Sequence, residues 1–431
     1  MVHEVDTQTS FLAALSEEEC SEIMLSSDVE LEDKLVIKKD LQIDLNGYKL
    51  WAAVAEGITV SKGHVIFKNG TIIGPEDDPI VAEGMGTVVT LGSDLKVNAT
   101  KCALYVKSRA KIIIEGADIQ SLGDHAAVFV EGSGLAKDNT CLELRDGQIV
   151  ATKQIAVSVK KGGIFLLSGG YLESKVDARN VDETSTIYLH GARTKMDMFG
   201  GEVKSEFTSA LSVVDGAQAY IRGGLISSGT RTETTVSVQG QNSCLSMSNG
   251  KISGVDSDGI LVGGLDKDQV NAVVVSGGVI SVRSSRKVIT EVAGEGQPAI
   301  SITGGRFHGQ LKLSYIEAGY TGQKDSLDYI DVIRDQDIPQ LPDGPFDPDS
   351  SGGYMNPDPT ISNKSVVVSR PVPVYGSPSR RFVICHIVGS VRIITTNHID
   401  NTTGENYSFV EYVLAGVGRK ATGYVLTSMI R

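Results

Sequence analysis

Val65-Ile-Phe-Lys-Asn-Gly-Thr-Ile-Ile73 contains two short apolar runs that are joined by a Lys-Asn-Gly turn. Both runs have the β-branched and aromatic residues that are typical of half-buried strands. Asn and Gly tolerate positive φ, so the chain can bend sharply between the runs. The stretch therefore predicts a strand, a tight bend and a second strand.

The same pattern recurs ten more times between Gly47 and Gly305, at spacings of 22 to 31 residues. Examples are Ser168-Gly-Gly170, Arg222-Gly-Gly224 and Thr303-Gly-Gly305. Repeats of this length are stacked units, none of which can bury its apolar face alone. They lack the helical period of a crossover helix, and they are shorter than propeller blades of about 40–50 residues. We predict an all-β chain with a parallel β-helix of about eleven coils, one coil per repeat.

The segments on either side of the repeats differ from them in composition. Ser10-Phe-Leu-Ala-Ala-Leu-Ser-Glu-Glu-Glu19 predicts a short amphipathic helix that covers the open edge of the first coil. Nine of the twelve prolines lie at or after Pro339, and six of these lie within residues 338–361. The residues that follow contain only short strands, which suggests a small barrel. The predicted organisation is a cap at 1–24, the β-helix at 25–337, a Pro/Gly/Asp-rich linker at 338–361 and a barrel at 362–431.

The net charge of −13 is unevenly distributed along the chain. Residues 1–337 carry 32 basic and 46 acidic side chains, whereas residues 362–431 carry eight basic and three acidic ones. An acidic β-helix is not expected to bind nucleic acid, and a basic end domain suits an anionic partner. We see no apolar run long enough to span a membrane and no secretory signal at the start, so we expect folding in the cytoplasm.

No set of residues in the sequence predicts catalysis, a metal site or a cofactor. Acids near the bends, at Asp118, Asp146, Glu173 and Glu202, differ in their distance from the glycine and so do not share one register. Asp256-Ser-Asp258 lacks the spacing of a calcium loop and is interpreted as a turn. The five cysteines are scattered and are expected to be reduced and buried. The sequence therefore favours a protein without enzymatic activity.

Aromatic residues are sparse, with one Trp, ten Phe and thirteen Tyr. We expect Trp51 to pack in the core or the cap. We expect no ladder of exposed rings on the β-helix that would stack against sugars.

Two parts of the β-helix resemble a known superfamily. Leu41-Gln-Ile-Asp-Leu-Asn-Gly-Tyr-Lys-Leu50 and Gly304-Gly-Arg-Phe307, the latter followed by Tyr315-Ile-Glu-Ala-Gly-Tyr320, are similar to the first and last coils of pectate-lyase-like proteins. The resemblance covers about residues 25–333 and implies a right-handed β-helix. The superfamily includes polysaccharide lyases, hydrolases, adhesins and phage fibres or spikes, so it does not select an activity.

The C-terminal unit resembles the bacterial SH3 family over about residues 364–431. Val374-Tyr-Gly-Ser-Pro-Ser379, Ile387-Val-Gly389 and Gly423-Tyr-Val425 occur in the order of the family's turns and final strand. The usual Trp before the last hairpin is missing, with Phe409 near its place, and Asn397 to Asn406 form a polar insertion. The resemblance implies binding to cell-wall polymers. The candidate ligand-binding residues are Tyr375, Arg380, Arg381, Tyr407, Phe409 and Tyr424.

These observations favour a phage virion protein with a structural and adhesive role, such as a fibre, a spike or a head or tail decoration. Its C-terminal module would bind the bacterial cell wall, a surface polysaccharide or other virion proteins, with no membrane partner. Phage spikes of this fold imply a possible homotrimer. The first alternative is a polysaccharide depolymerase, either a lyase or a glycoside hydrolase, with a wall-targeting module. The second is a bacterial surface adhesin.

Overall fold

The computed structural model divides the chain into two compact units, Met1–Pro339 and Gln340–Arg431. In the first unit it describes residues 2–135, 138–176, 185–229, 234–263, 271–292 and 298–335. In the second it describes residues 360–361, 365–375, 383–399, 406–413, 420–426 and 428. The described elements are strands apart from one α-helix and one 3₁₀ turn. Neither is long and apolar enough to cross a membrane.

The first unit contains a helix and a long series of short strands. Its elements are β1 (Val2–Val5), α1 (Gln8–Ser16), β2 (Glu22–Leu25), β3 (Val29–Leu31), β4 (Leu35–Ile37), β5 (Leu41–Asp44), β6 (Lys49–Ala52), β7 (Ile58–Val60), β8 (His64–Lys68), β9 (Gly70–Gly74), β10 (Ile80–Glu83), β11 (Val88–Leu91), β12 (Leu95–Ala99), β13 (Leu104–Lys107), β14 (Lys111–Ser121), β15 (Val128–Glu131), β16 (Cys141–Ala151), β17 (Val157–Lys160), β18 (Ile164–Leu167), β19 (Tyr171–Ser174), β20 (Ser185–His190), β21 (Lys195–Met198), β22 (Glu202–Ser205), β23 (Ser209–Val214), β24 (Gln218–Ser228), β25 (Thr234–Gln239), β26 (Cys244–Gly254), β27 (Asp258–Val262), β28 (Ala272–Ser281), β29 (Ile289–Glu291), β30 (Ala299–His308), the 3₁₀ turn Leu313–Tyr315, β31 (Tyr320–Lys324) and β32 (Ile330–Arg334).

These strands wind into a parallel β-solenoid of about twelve turns. Each coil contains three strands. One precedes the glycine-marked bend and one follows it, as β8 and β9 do, and the third, such as β10, comes next in the chain. In some coils, including that of β14, the first two strands form one bent strand. Strands before and after the bends stack in parallel into a sheet that we call the bent sheet. The third strands form the eleven-stranded sheet, ordered β4-β7-β10-β13-β15-β17-β20-β23-β25-β27-β29.

The core is built from side chains that occupy the same position in successive coils. In the bent sheet Phe67 is in register with Leu91, and Leu91 with Ile114; all three are fully buried. The same column continues through the following coils to Ile302, as Leu144, Leu167, Met198, Ile221, Met247 and Val275. Alternation between inward and outward positions along each strand gives every coil an apolar interior and a polar exterior.

The bends bring the backbones of successive coils close together. Gly201 has a φ of +81°, and a Cβ at this position would lie 2.8 Å from the carbonyl oxygen of Gly169 in the preceding coil. Only glycine fits both the conformation and the space. In the coil of the opening stretch, Asn69 takes the left-handed conformation instead, at a φ of 58°.

The structure confirms the predicted all-β parallel solenoid, but it contains about twelve coils rather than about eleven. The additional coil consists of β2, β3 and β4, which precede the first glycine-marked bend. Its bend is Ser26-Ser-Asp28 and contains no glycine, so the repeat pattern did not reveal it.

Both ends of the solenoid are covered. Helix α1 begins after Thr7, whose hydroxyl accepts a hydrogen bond from the Ser10 backbone N–H at 3.2 Å. Phe11 and Ala14 of this helix are buried in the core. A helix was predicted over residues 10–19; the one observed begins at Gln8 and ends at Ser16.

At the other end of the solenoid, β31 and β32 form an antiparallel hairpin. Strand β32 also pairs with β30, with Gly305 opposite Val332. Val332 and Tyr315 are buried there. The hairpin therefore closes the last coil, in the region where a final coil was expected.

The second unit contains β33 (Thr360–Ile361), β34 (Ser365–Tyr375), β35 (Val383–Ile399), β36 (Asn406–Val413) and β37 (Lys420–Leu426). Its pairings are antiparallel, and β36 pairs with both β37 and β35. Strands β34, β37, β36 and β35 therefore form a closed ring of pairings. Several short strands of the prediction form parts of these longer strands, and the SH3-like barrel stays a prediction. The linker predicted at 338–361 lies outside the described residues except for β33.

We expect Gly201→Ala to lower the free energy of unfolding by about 2–4 kcal/mol, because alanine disfavours the positive φ and its Cβ meets the preceding coil. Gly47→Ala is the matched control, since Gly47 has a φ of +85° and open space at the Cβ position. Gly47→Ala should lower the free energy of unfolding by only about 1–2 kcal/mol, which is the cost of the positive φ alone. Urea unfolding followed by circular dichroism measures both. Equal losses would show that close packing of the bends is unimportant.

Candidate functional site

A cleft of about 250 Å³ lies against the eleven-stranded sheet, where β10, β13, β15 and β17 follow one another. Its residues come from two parts of each coil. The loops that precede the strands contribute Asp77, Asp78, Cys102 and His125, and the strands themselves contribute Tyr105, Phe129, Glu131 and Lys160.

The strand alternation places two aromatic rings at the bottom of the cleft. In β13, Leu104 and Val106 are buried in the core, so Tyr105 between them points outward. Phe129 has the same position in β15 and is the register partner of Tyr105. Their ring centroids are 6.3 Å apart, and the ring planes make an angle of 70°. We call these two residues the aromatic floor.

Two further residues continue the row of the aromatic floor along the sheet. Ser158 of β17 follows Phe129 in register, and Tyr188 of β20 follows Ser158. Tyr188 is only 3% exposed, and the Lys160 ammonium lies 5.4 Å from its ring centroid. The Ser158 hydroxyl is buried and has no hydrogen-bond partner among the described residues. Beyond the aromatic floor the row thus continues with a small polar residue and a covered ring.

The last residues of the four strands form a row in which acidic and basic side chains alternate. Glu83, Lys107, Glu131 and Lys160 are successive register partners. Lys107 contacts Glu83 at 3.5 Å and Glu56 at 2.9 Å. These ion pairs hold Glu83 and Lys107, the first two side chains of the row, in place.

The carboxylate of Glu131, the third residue of that row, accepts hydrogen bonds from two donors. The Lys161 ammonium contacts its carboxylate at 2.5 Å, and the Tyr105 hydroxyl donates a hydrogen bond to it. Lys160, its neighbour in the row, forms no ion pair with any residue that the structure describes. Among the described residues, the contact of this ammonium is therefore the Tyr188 ring, at the edge of the cleft.

The opposite wall is built by loop backbone. The Cys102 N–H donates to Asp77 Oδ1 at 3.1 Å, and the Asp78 N–H donates to the Cys102 carbonyl at 3.0 Å. Asp78 has a φ of 51°, which asparagine and aspartate adopt more readily than most residues. These bonds tie the loop before β10 to the loop before β13. His125, in the next loop, lies 3.0 Å from Asp124.

The two carboxyl groups on opposite sides of the cleft have pKa values that shift in opposite directions. Burial, with the nearby charges of Asp77 and Glu56, raises the pKa of Asp78. Hydrogen bonds from Lys161 and Tyr105 lower the pKa of Glu131. Burial and the bond to Glu131 raise the pKa of Tyr105, so that its hydroxyl stays protonated and donates.

The predicted ligand-binding residues lie in the second unit, apart from this cleft in the chain. In the strand register Tyr375 is opposite Tyr424, and Tyr424 is opposite Phe409, so these three positions form one row across β34, β37 and β36. Tyr407 lies two residues before Phe409 on β36, opposite Leu426. Arg380 and Arg381 lie outside the described residues. Their role in binding stays a prediction.

The acids considered for catalysis are not brought together in one cluster. Asp118 and Glu202 do lie in one row of the bent sheet, so the expectation that these acids share no register was wrong for this pair, but Gln148 and Tyr171 separate them. Glu173 is 8% exposed and pairs with Lys204 at 3.0 Å. Across the described part of the chain, no three His, Cys, Asp or Glu side chains are arranged to hold a metal ion. Cys20, Cys102, Cys141 and Cys244 are free thiols.

The sequence analysis expected no ladder of exposed rings on the β-helix, and it did not identify the pair of half-buried rings that forms the aromatic floor. The signal is present when the repeats are aligned on the third strand of each coil rather than on glycine. Leu104-Tyr-Val-Lys107 and Val128-Phe-Val-Glu131 then match position by position. The expected place of Trp51 in the core or cap was also wrong, since it points outward from β6 and is 37% exposed.

No protein-family model matches the sequence, and neither does any curated protein. The structure is similar to a solved structure described as SRRP, a serine-rich repeat protein, from L. reuteri 53608. The similarity covers 72% of this chain and 98% of that one, with 12% sequence identity and a TM-score of 0.33. Any function therefore has to be argued from the geometry of this chain itself.

We expect Asp78→Asn to raise the melting temperature at pH 7 and to change it little at pH 3. A carboxyl whose pKa is raised by folding destabilises the folded state when it is ionised. This penalty is present above the unfolded pKa of about 3.9 and disappears below it. Asparagine removes the charge and keeps the shape. Thermal unfolding at the two pH values measures the difference.

Glu131→Gln is the comparison for Asp78→Asn, because the pKa values of the two carboxyl groups shift in opposite directions. The pKa of Glu131 is lowered by folding, so its contribution is stabilising above the unfolded pKa and is lost as the pH falls through the folded value. We expect Glu131→Gln to lower the melting temperature at pH 7 and to have a smaller effect at pH 3. Shifts of the same sign for both variants at pH 7 would contradict the assigned electrostatics of the cleft.

Proposed function

We propose that this chain is a structural and adhesive protein of a phage particle, such as a fibre, a spike or a head or tail decoration. The observation that carries the proposal is the continuous stacking of about twelve coils between two covered ends. A solenoid of this kind is a long, stiff support, since every coil pairs with the next. About 4.8 Å per coil gives a length of roughly 55 Å.

The proposed adhesive partner is a polymer of the bacterial cell wall or cell surface. The second unit supports this because its antiparallel strands close into a ring, in keeping with the SH3-like module that the sequence resembles. Residues 362–431 carry five more basic than acidic side chains, which suits anionic wall polymers. The row of Tyr375, Tyr424 and Phe409 positions on three neighbouring strands is the proposed contact region. Arg380 and Arg381 are proposed as further contact residues from the sequence alone.

Co-sedimentation of the full chain with purified cell walls tests the proposal. We expect retention at low salt, and a several-fold loss of retention for the double variant Arg380→Glu/Arg381→Glu, because rim charges attract an anionic polymer. The matched control is Lys195→Glu/Lys251→Glu, which reverses two exposed charges on the solenoid and should leave retention unchanged. Absence of retention for the unmodified chain at low salt would refute wall binding.

The depolymerase alternative differs in one measurable outcome. An enzyme would release reducing ends from the polysaccharide that retains it, whereas an adhesive protein would leave the polymer intact. We expect no release above the rate of the polymer alone. Immunogold labelling of phage particles with antibodies to the full chain separates a virion protein from a bacterial surface adhesin.

A further inference from the structure

The cleft on the eleven-stranded sheet has the size and shape of a site for one sugar ring. Its volume of about 250 Å³ is slightly below the range of roughly 300–1,000 Å³ that holds drug-sized ligands. Phe129 and Tyr105 present apolar ring surface at the bottom, and polar groups stand on both sides. Apolar lining with a few convergent polar groups is typical of small-molecule sites.

Two charged groups that line the cleft, Asp78 and Lys160, have hydrogen-bonding capacity beyond the contacts that the structure describes. Lys160 is in no ion pair with the described residues. The Asp78 carboxyl lines the cleft, is hydrogen-bonded by the side chain of Cys102 and is in no salt bridge within the described residues. A ligand that supplies further hydrogen-bond partners to these two groups would be favoured.

The charged side chains around the cleft disfavour both anionic and cationic ligands. Asp77, Asp78 and Glu131 would repel a sugar acid, and two of these carboxylates are already paired with Lys101 and Lys161. The ammonium of Lys160 would repel an amino sugar. Hydroxyl and acetamido groups, by contrast, donate to carboxylates and accept from an ammonium without introducing charge.

We propose that this cleft binds one uncharged hexopyranose residue, plain or N-acetylated, with its ring over Phe129 and Tyr105 and its hydroxyls bonded to Asp78 and Lys160. The binding site rests on the geometry of the cleft. Its source, a glycan of the bacterial surface, rests on the proposed function. The solenoid then carries a recognition site of its own, in addition to the one proposed in the second unit.

Saturation-transfer NMR with the full chain tests the site directly. The probes are glucose, galactose, mannose, rhamnose and N-acetylglucosamine, with glucuronate as the charged comparison. We expect transfer to the ring C–H protons of at least one uncharged sugar and weaker transfer to glucuronate. No transfer to any of the uncharged sugars, or stronger transfer to glucuronate, would overturn the proposal.

Phe129→Ala should weaken binding of the responding sugar by about tenfold or more, since loss of a central aromatic contact is usually costly. Phe199→Ala is the matched control, because Phe199 is 56% exposed and lies at a bend of the bent sheet. It should leave binding unchanged. Lys160→Met keeps the length of the side chain and should also weaken binding. It provides the test if Phe129→Ala does not fold. Unchanged binding in a folded Phe129→Ala, or equal losses for Phe129→Ala and Phe199→Ala, would reject the cleft as the site.

The outcome for the cleft can be separated from the outcome for the proposed function. If the full chain is retained by cell walls but Phe129→Ala binds the sugars as well as the unmodified chain, the inference about the cleft fails and the adhesive function stands. If the sugars bind in the cleft but cell walls do not retain the chain, the adhesive function fails and the site stands.

Discussion

In-register stacking of one coil on the next is the constraint on which the rest of this structure depends. A single coil has two open edges and an apolar face that it cannot cover, and both are satisfied only by its neighbours. Parallel pairing then places equivalent side chains about 4.8 Å apart along every row. An inward row has to be apolar throughout, as the column from Phe67 to Ile302 is. The two end coils each lack one neighbour, so α1 and the hairpin of β31 and β32 cover them.

The same constraint explains why the fold could be predicted from sequence. The bend requires a residue that tolerates positive φ and a close backbone, and at Gly201 only glycine meets both conditions. That requirement recurs once per coil and is therefore visible as a period. Where serine replaces glycine, at Ser26-Ser-Asp28, the bend leaves no such mark and the coil was not counted. Handedness depends on the path between sheets, which the spacing of glycines does not specify.

The cleft could not be predicted in the same way, because it is made by outward rows. Outward positions carry no requirement for burial, so nothing in one repeat shows that its side chain stands beside that of the next. Tyr105 and Phe129 are 24 residues apart, and only the register of β13 with β15 makes them neighbours. Asp78 comes from a loop, whose length varies between repeats. The site therefore depends on alignment of the strands of the eleven-stranded sheet, whereas the fold depends on alignment of the bends.

Stacking also limits which charges an outward row can hold. Like charges at directly neighbouring positions would repel each other, and the row of Glu83, Lys107, Glu131 and Lys160 alternates in sign. Alternation alone would pair Lys160 with Glu131. The carboxylate of Glu131 is instead bonded to Lys161 and to the Tyr105 hydroxyl, both of which lie close to it. The bond that orients the Tyr105 ring in the aromatic floor thus competes for the carboxylate that Lys160 would otherwise use. One hydrogen bond thus holds the Tyr105 ring in the floor and occupies the carboxylate beside Lys160, whose ammonium is in no ion pair with the described residues.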